Sequence, residues 1–351
     1  MRIYKQTNKQ IDMKNKLLAI IASTGLVASA SAVKVNDNLS INGFIDGSYQ
    51  HVDNSLLSAA GDSTPAGSPE STTDQSLGLD EVELNFIYNH GPVSGTISLD
   101  GYDSFNTGNG LANPGDRVEV EQAHITYSLD NGVSFTLGKY GSALGFERED
   151  PQGLYTFSRA YGGSSANSFN LGHIDVNVVE GLTVAYSADA YSIAASFENN
   201  EDVDGEEDEL NLEISFAYTG IDNVNLGGGY FFDNRGNSEL ETDILNLHAS
   251  TSFGKLFLAA EYIELSRGNS VGDGSDLDGY MVLADYDINN KLGVALRVSS
   301  NEMDSNADYE KVTIAPNYAI TENLGAIVEF SDVENNNNDG NEMAIELTYT
   351  F

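Results

Sequence analysis

The chain has 351 residues and carries 54 acidic against 16 basic side chains, a formal charge of −38. A surface so acidic repels phosphate backbones, which excludes a nucleic acid partner. Cysteine is absent, so an exported chain of this kind must be held by hydrogen-bonded strands rather than disulfides.

Export is read from residues 1–32. Arg2, Lys5, Lys9, Lys14 and Lys16 precede the apolar run Leu17 to Ala28 and then Ala30-Ser31-Ala32. A basic n-region, a short apolar h-region and an A-x-A site describe a secretory signal peptide cut after Ala32. Met13 would also serve as a start, because Met13-Lys14-Asn15-Lys16 already supplies the n-region. About twelve apolar residues are too few to anchor the chain as a spanning helix. Cleavage removes five bases and one acid, taking the formal charge from −38 to −42, and leaves 33–351 as one domain. No apolar run of the length a spanning helix needs follows the signal, so only a closed β-barrel could cross a membrane, since lipid leaves no backbone group unpaired.

Alternation supports that barrel. Leu39, Ile41, Ile45 and Tyr49 alternate with Ser40, Asn42, Asp46, Ser48 and Gln50, the period of two expected of a half-apolar strand. Val82, Leu84, Phe86 and Tyr88 oppose Glu81, Glu83 and Asn85 within 77–90, and after a turn at 89–92 a strand returns over 93–102. Ala123, Ile125, Tyr127 and Leu129 then lead through Asp130-Asn131-Gly132 to Val133, Phe135 and Leu137. Ile174 to Tyr186 also alternates, but Glu180 falls on the apolar parity, so a bulge or register shift is expected there. Further pairs follow at 191–197, 210–218 and 224–230, at 243–253 and 256–265, at 280–286 and 292–298, and at 312–318 and 324–330. Both faces of 256–265 are fairly apolar, and Pro316 removes a ladder donor, predicting a local bulge. The last strand alternates Met343, Ile345, Leu347, Tyr349 and Phe351 with Glu342, Ala344, Glu346, Thr348 and Thr350.

These segments predict an all-β transmembrane antiparallel barrel of about sixteen strands. Links near 90–92, 130–132, 188–189, 220–223, 254–255, 287–290 and 320–323 are short. Those near 53–75, 104–116, 144–172, 200–208, 233–241, 267–276, 302–308 and 334–340 are long. Short turns on one side and long loops on the other is the asymmetry of outer-membrane barrels, with both chain ends on the periplasmic side. Tyr and Phe recur at strand ends, as an interfacial aromatic girdle requires. The five histidines show no metal-ligand spacing, and the start of a calcium loop at Asn200, Asp202, Asp204 and Gly205 lacks the glutamate its twelfth position needs. No metal, cofactor or catalytic group is assigned, and nothing points to the Ser-His-polar triad of a hydrolase.

Glu121-Gln122-Ala123-His124-Ile125-Thr126-Tyr127, followed by Gly132 to Tyr140 with Leu137-Gly138-Lys139 inside it, resembles a recurring block of Gram-negative porins. Gly145-Phe146-Glu147 and Ser158-Arg159 are similar to elements of OmpL-like β-barrel porins, whereas the P-E-F-G-G loop motif of enterobacterial general porins is missing. The terminal strand, with Tyr349 and Phe351, resembles the signature that the barrel assembly machinery reads. The resemblance implies an outer-membrane channel for passive diffusion of small hydrophilic solutes, in contact with lipid and lipopolysaccharide, and it raises without deciding the question of a homotrimer. It also implies that the third external loop, 144–172, folds into the lumen. The expected constriction sets Glu147, Glu149 and Asp150, with Arg148 and Arg159 beside them, against wall residues Arg297 and Lys311. Lys139 shares the outward parity and is expected to reach the interface. Asp46, Glu81, Glu83, Asp100, Glu261, Glu329, Glu342 and Glu346 fall on lumen positions, and an acidic lining favours cations. The competing reading is a non-conducting barrel that serves as an adhesin or receptor scaffold.

Overall fold

A computed structural model of the chain describes residues 32–52, 74–102, 117–147, 150–161, 178–199, 210–234, 242–267, 276–303, 307–335 and 338–351. Residues 1–31 of the expected signal peptide, Arg148, Glu149, Ile174, Val176 and the 200–208 loop lie outside them. A two-residue strand β1 (Val33–Lys34) pairs with β2 (Leu39–Val52). Then follow β3 (Asp74–His90), β4 (Val93–Tyr102), β5 (Arg117–Ser128), β6 (Val133–Gly141), β7 (Val178–Ser187), β8 (Tyr191–Glu198) and β9 (Asn211–Ile221). The second half is β10 (Val224–Phe232), β11 (Thr242–Phe253), β12 (Leu256–Arg267), β13 (Leu277–Asp287), β14 (Leu292–Met303), β15 (Ala307–Ala319), β16 (Leu324–Asn335) and β17 (Asn338–Thr350).

From β2 to β17 every strand pairs antiparallel with its neighbours in sequence, and the sheet closes where β17 meets β2, from Glu342↔Val52 to Thr350↔Phe44. This is a closed sixteen-strand barrel with no open edge. The seam runs one residue further: Gly43 N–H donates to the Phe351 carbonyl and Phe351 N–H to the Gly43 carbonyl, both at 3.0 Å. The outer face is apolar because alternate residues must meet lipid. Tyr88, Tyr127, Phe135, Tyr186, Tyr191, Tyr218, Tyr286, Tyr318 and Tyr349 lie exposed on it beside the short turns. They form a girdle at that rim, with Tyr127 opposite Phe135 and Tyr191 opposite Tyr218.

Three local readings are corrected. Glu180 causes no bulge: the β6–β7 ladder runs unbroken, Lys139 stands directly opposite Glu180, and Glu180 is exposed three residues into β7. A carboxylate so near a strand end sits at the interface rather than at the lipid midplane, which removes the cost. Lys139 is on the outward face and its Nζ donates to the Val120 carbonyl at 3.0 Å, consistent with an interfacial lysine. Pro316 also causes no slip: Ile314↔Phe330 and Asn317↔Ile327 keep one register, and the β15–β16 ladder only skips the two residues between. Finally, the external links at 302–308 and 334–340 shrink to 304–306 and 336–337, because β14 to β17 continue well past the segments their apolar alternation marks.

Real bulges occur elsewhere. Asp46 pairs with Glu81 but Gly47 with Leu79, leaving Asp80 extra in β3; Ser98 pairs with Gln122 but Leu99 with Val120, leaving Glu121 extra in β5. One added residue flips the parity on either side of it. Leu77 and Leu79 therefore point outward before the first bulge, and Val82 and Leu84 after it.

Candidate functional site

The lumen has two unlike walls. Over β10 to β16 the inward side chains include Phe231, Ile244, Phe257, Ala259, Ile263, Leu265, Leu277, Met281, Leu283, Ala295, Ala315 and Ile327, all buried. An apolar face inside an aqueous channel has to be covered, and the β6–β7 loop covers it. Leu144, Ala160 and Tyr161 complete that buried cluster, with Phe146, Tyr155 and Phe157 packed against it. Phe146, Tyr155 and Phe257 stack, with ring planes 13°, 21° and 8° apart pairwise.

Polar islands in this wall hold the loop backbone. Glu213 accepts from Ser142 Oγ at 2.5 Å and Ala143 N at 3.1 Å, and Glu261 accepts from Phe146 N at 2.6 Å, Asn246 Nδ2 at 2.8 Å and Tyr161 OH at 3.2 Å. Arg297 is the centre of the dock. Its Nη1 donates to Glu147 Oε1 at 2.6 Å, Thr156 Oγ1 at 2.8 Å and the Ser158 carbonyl at 2.7 Å. Its Nη2 donates to Ser158 Oγ at 3.0 Å and the Arg159 carbonyl at 2.7 Å. Glu147 Oε2 accepts from Ala160 N at 2.8 Å, so one carboxylate joins both limbs of the loop. Glu329 accepts from Ser158 N at 3.0 Å and from Ser158 Oγ.

Between those limbs the loop turns through a 3-10 segment, Pro151–Gly153, and Asp150 lies within 4.8 Å of Glu81 and Glu83, ligand atom to ligand atom. The loop therefore reaches from the β12–β16 wall across to β3. Glu147 and Arg297 are in direct contact and buried rather than held apart across water. Asp150 is grouped not with Arg297 or Lys311 but with carboxylates. Lys311 pairs with Glu342 at 2.5 Å, and Arg159 is half-buried near Lys311 on a shared cavity.

The opposite wall is acidic and hydroxylic. Asp46 accepts from Thr348 Oγ1 at 2.8 Å; Asn85 Nδ2 donates to Glu83, and Ser98 Oγ to Asn85. Asp100 pairs with Glu83 across β3–β4. Each bulge adds one acid here, placing Asp80 beside Glu81 and Glu121 beside Gln122 on the inner face. Glu346 is buried near the seam. Sequence reading missed Asp80, Glu121, Glu213, Thr156 and Asn246. The parity slips from Leu79 to Val82 and from Val120 to Ala123 were the signal for the two bulged acids. The docking partners gave none, because a single inward polar residue does not reveal which loop it meets. Glu81, Glu83 and Asp150 have the oxygen chemistry to share a hard cation.

A closed barrel whose bore is narrowed by an external loop and lined by acidic side chains defines an outer-membrane channel. The sequence matches the Gram-negative porin family over residues 17–338, and the chain belongs to that family. Solved structures share the fold at low identity. The anion-selective porin of Comamonas acidovorans is 12% identical, with TM-score 0.67, covering 89% of this chain and 99% of its own. OmpF of Salmonella typhi in complex with daunomycin is 15% identical, with TM-score 0.65 and coverage of 91% and 100%. In vitro folded OmpT of Vibrio cholerae, in trimer form, is 12% identical, with TM-score 0.57 and coverage of 89% and 99%. No curated protein sequence matches the chain.

Proposed function

We propose that the protein is a general diffusion porin that passes small hydrophilic solutes and ions through its lumen and prefers cations. The carrying observation is the charge of the wall formed by β2 to β5. Asp46, Asp80, Glu81, Glu83, Asp100 and Glu121 crowd β2 to β5, and Asp150 of the loop joins them. The lumen cations Arg297 and Lys311 are instead each held by a carboxylate, at 2.6 and 2.5 Å. A cation near that wall meets a preponderance of carboxylates, which favours its passage over that of an anion. An anion-selective porin shares the fold, so lining rather than architecture sets the sign.

Reversal potentials in planar bilayers under a KCl gradient test this. Cation-selective potentials are expected; a clear anion preference would overturn the selectivity, and the absence of any open level would favour the adhesin or receptor scaffold. The same reading has the chain cleaved after Ala32, inserted by the barrel assembly machinery among lipid and lipopolysaccharide, and associated as a homotrimer. Support for the trimer is the trimer form of the Vibrio OmpT. N-terminal sequencing and light scattering of the purified protein check the first and last of these.

A further inference from the structure

A cavity of about 240 Å³ opens between loop residues 157–161 and the inner wall of β15, β16, β17 and β2, toward the external ends of those strands. Strand register explains the recess. On one level of the wall Gln50, Ala344 and Glu329 stand side by side, and on the next Val52, Glu342 and Ser331. Ala344 sets a single methyl group between two long side chains, so the wall is hollow there. Phe157 of the loop and Tyr309 and Lys311 of β15 close the sides. Arg159 and Tyr161 border the cavity too, each engaged in a further interaction of its own.

Charge on the wall side of this recess is balanced within the fold. Lys311 Nζ donates to Glu342 Oε2 at 2.5 Å, and Glu329 accepts from Ser158 N at 3.0 Å and from Ser331 Oγ at 2.9 Å. Hydrogen-bonding capacity is left over. Lys311 gives one N–H to Glu342 and keeps others, and Glu342 keeps Oε1 on a side chain that is 27% exposed. Gln50 uses its Nε2 on Ser48 Oγ at 3.1 Å, which leaves its Oε1 as an acceptor. The Tyr309 hydroxyl has no hydrogen-bond partner among the described residues, although the residue is only 5% exposed. A buried hydroxyl without a partner is costly, so this one points to a guest in the cavity. A charged guest would meet its own sign at Lys311 or at Glu342. A neutral guest with hydroxyls on adjacent carbons meets neither penalty, because each hydroxyl both donates and accepts.

We propose that this cavity is a vestibule subsite for a neutral polyol, a single sugar ring. One hydroxyl donates to Glu342 Oε1 and accepts from Lys311 Nζ, and its neighbours pair with the Tyr309 hydroxyl and Gln50 Oε1. The apolar face of the ring lies on Phe157. The volume falls below the ~300–1,000 Å³ of drug-sized ligand sites, which restricts the guest to one ring. As a step in permeation the subsite rests on the channel reading above, but its occupancy can be measured without conduction.

Saturation-transfer NMR on the full chain in a sugar-free detergent reads that occupancy. The probes are methyl β-D-glucopyranoside, the anion D-glucuronate, and tetrahydropyran-2-methanol, which keeps the ring but only one hydroxyl. Saturable binding in the millimolar range is expected for the glucoside and not for the other two. Half-saturation should rise about fivefold in Tyr309→Phe, which removes a hydroxyl that holds nothing in the fold. Binding should be lost in Ala344→Leu, whose side chain fills the recess; should that variant not fold, Tyr309→Phe decides the matter. Equal binding of all three probes, or unchanged binding in Tyr309→Phe, overturns the proposal. A protein that binds the glucoside but shows no open level in bilayers would sink the channel and leave the subsite; a conducting protein that does not bind it would sink only the subsite.

Discussion

Arg297 Nη1 lies 2.6 Å from Glu147 Oε1, and the two side chains are 0% and 2% exposed, 150 residues apart in sequence. A buried pair of this kind gives little net stability against an apolar pair of the same size, yet removing one partner strands the other charge at a cost of about 3–5 kcal/mol. Arg297→Met should therefore release the loop, whereas Arg297→Met with Glu147→Leu should largely restore it. Limited proteolysis within 142–161 reads the release, and bilayer recordings should show larger and noisier open currents for the single variant than for the double. Equal protease resistance in wild type and Arg297→Met would show that the apolar cluster alone holds the loop.

The seam makes a different prediction. A Cβ built on Gly43 would meet the Glu83 carbonyl oxygen at 2.1 Å and the Phe351 ring at 3.0 Å. The backbone oxygen cannot swing aside, so Gly43→Ala forces β2 away from β3 or away from Phe351, at roughly 1–3 kcal/mol. Closure is the step at risk. Folding yield into detergent micelles or vesicles should fall, and the folded fraction should unfold at lower denaturant. Gly91→Ala, at the exposed turn where nothing lies within 4 Å of an added Cβ, shares the loss of a glycine but not the seam; its φ of +58 makes the cost one of local strain only.

Much of the barrel was legible because lipid imposes period-two alternation wherever a strand crosses it, as in Met343 to Phe351 or Val93 to Tyr102. The inner face obeys no such rule. Leu277, Met281 and Leu283 point into the barrel, and Ile263 and Leu265 do the same in β12, which is why 256–265 read as apolar on both faces. Those residues are covered by the loop, a contact across more than a hundred positions that alternation cannot encode. The partner of Arg297 was readable in kind, since a lone inward arginine needs a carboxylate. That the meeting would be a buried clasp and not a gap was not readable, because distance across a lumen depends on where the loop lands. Asp150 shows the same limit: its sequence neighbours are charged, yet its spatial neighbours Glu81 and Glu83 come from β3.

The acidic group on β3 should set the strength of cation preference. At about 8 Å and a water-like dielectric each carboxylate contributes roughly 0.5 kcal/mol to a passing monovalent ion. Because K⁺ loses and Cl⁻ gains about 1 kcal/mol, Glu81→Gln with Glu83→Gln should lower the K⁺ over Cl⁻ permeability ratio by about thirtyfold at low salt and by much less in molar salt, where the Debye length shrinks to ~3 Å. Reversal potentials at two ionic strengths measure both. An unchanged ratio at low salt would move the filter away from β3.

One arginine, moved by one residue, should change the sign of its effect. Arg297 points inward, is 1% exposed and makes five hydrogen bonds to the loop, while Val298 points outward at 46% exposure in the middle of β14. At position 298 an arginine would face hydrocarbon with none of those acceptors, at a cost of about 2–4 kcal/mol near the midplane. Val298→Arg should lower the denaturant midpoint of the barrel in vesicles while leaving the selectivity of the surviving channels alone. Arg297→Met should leave the wall in place and change the pore. If Val298→Arg proved neutral in vesicles, β14 would not cross the bilayer at that depth, and the placement of the hydrophobic belt would have to shift along the strands.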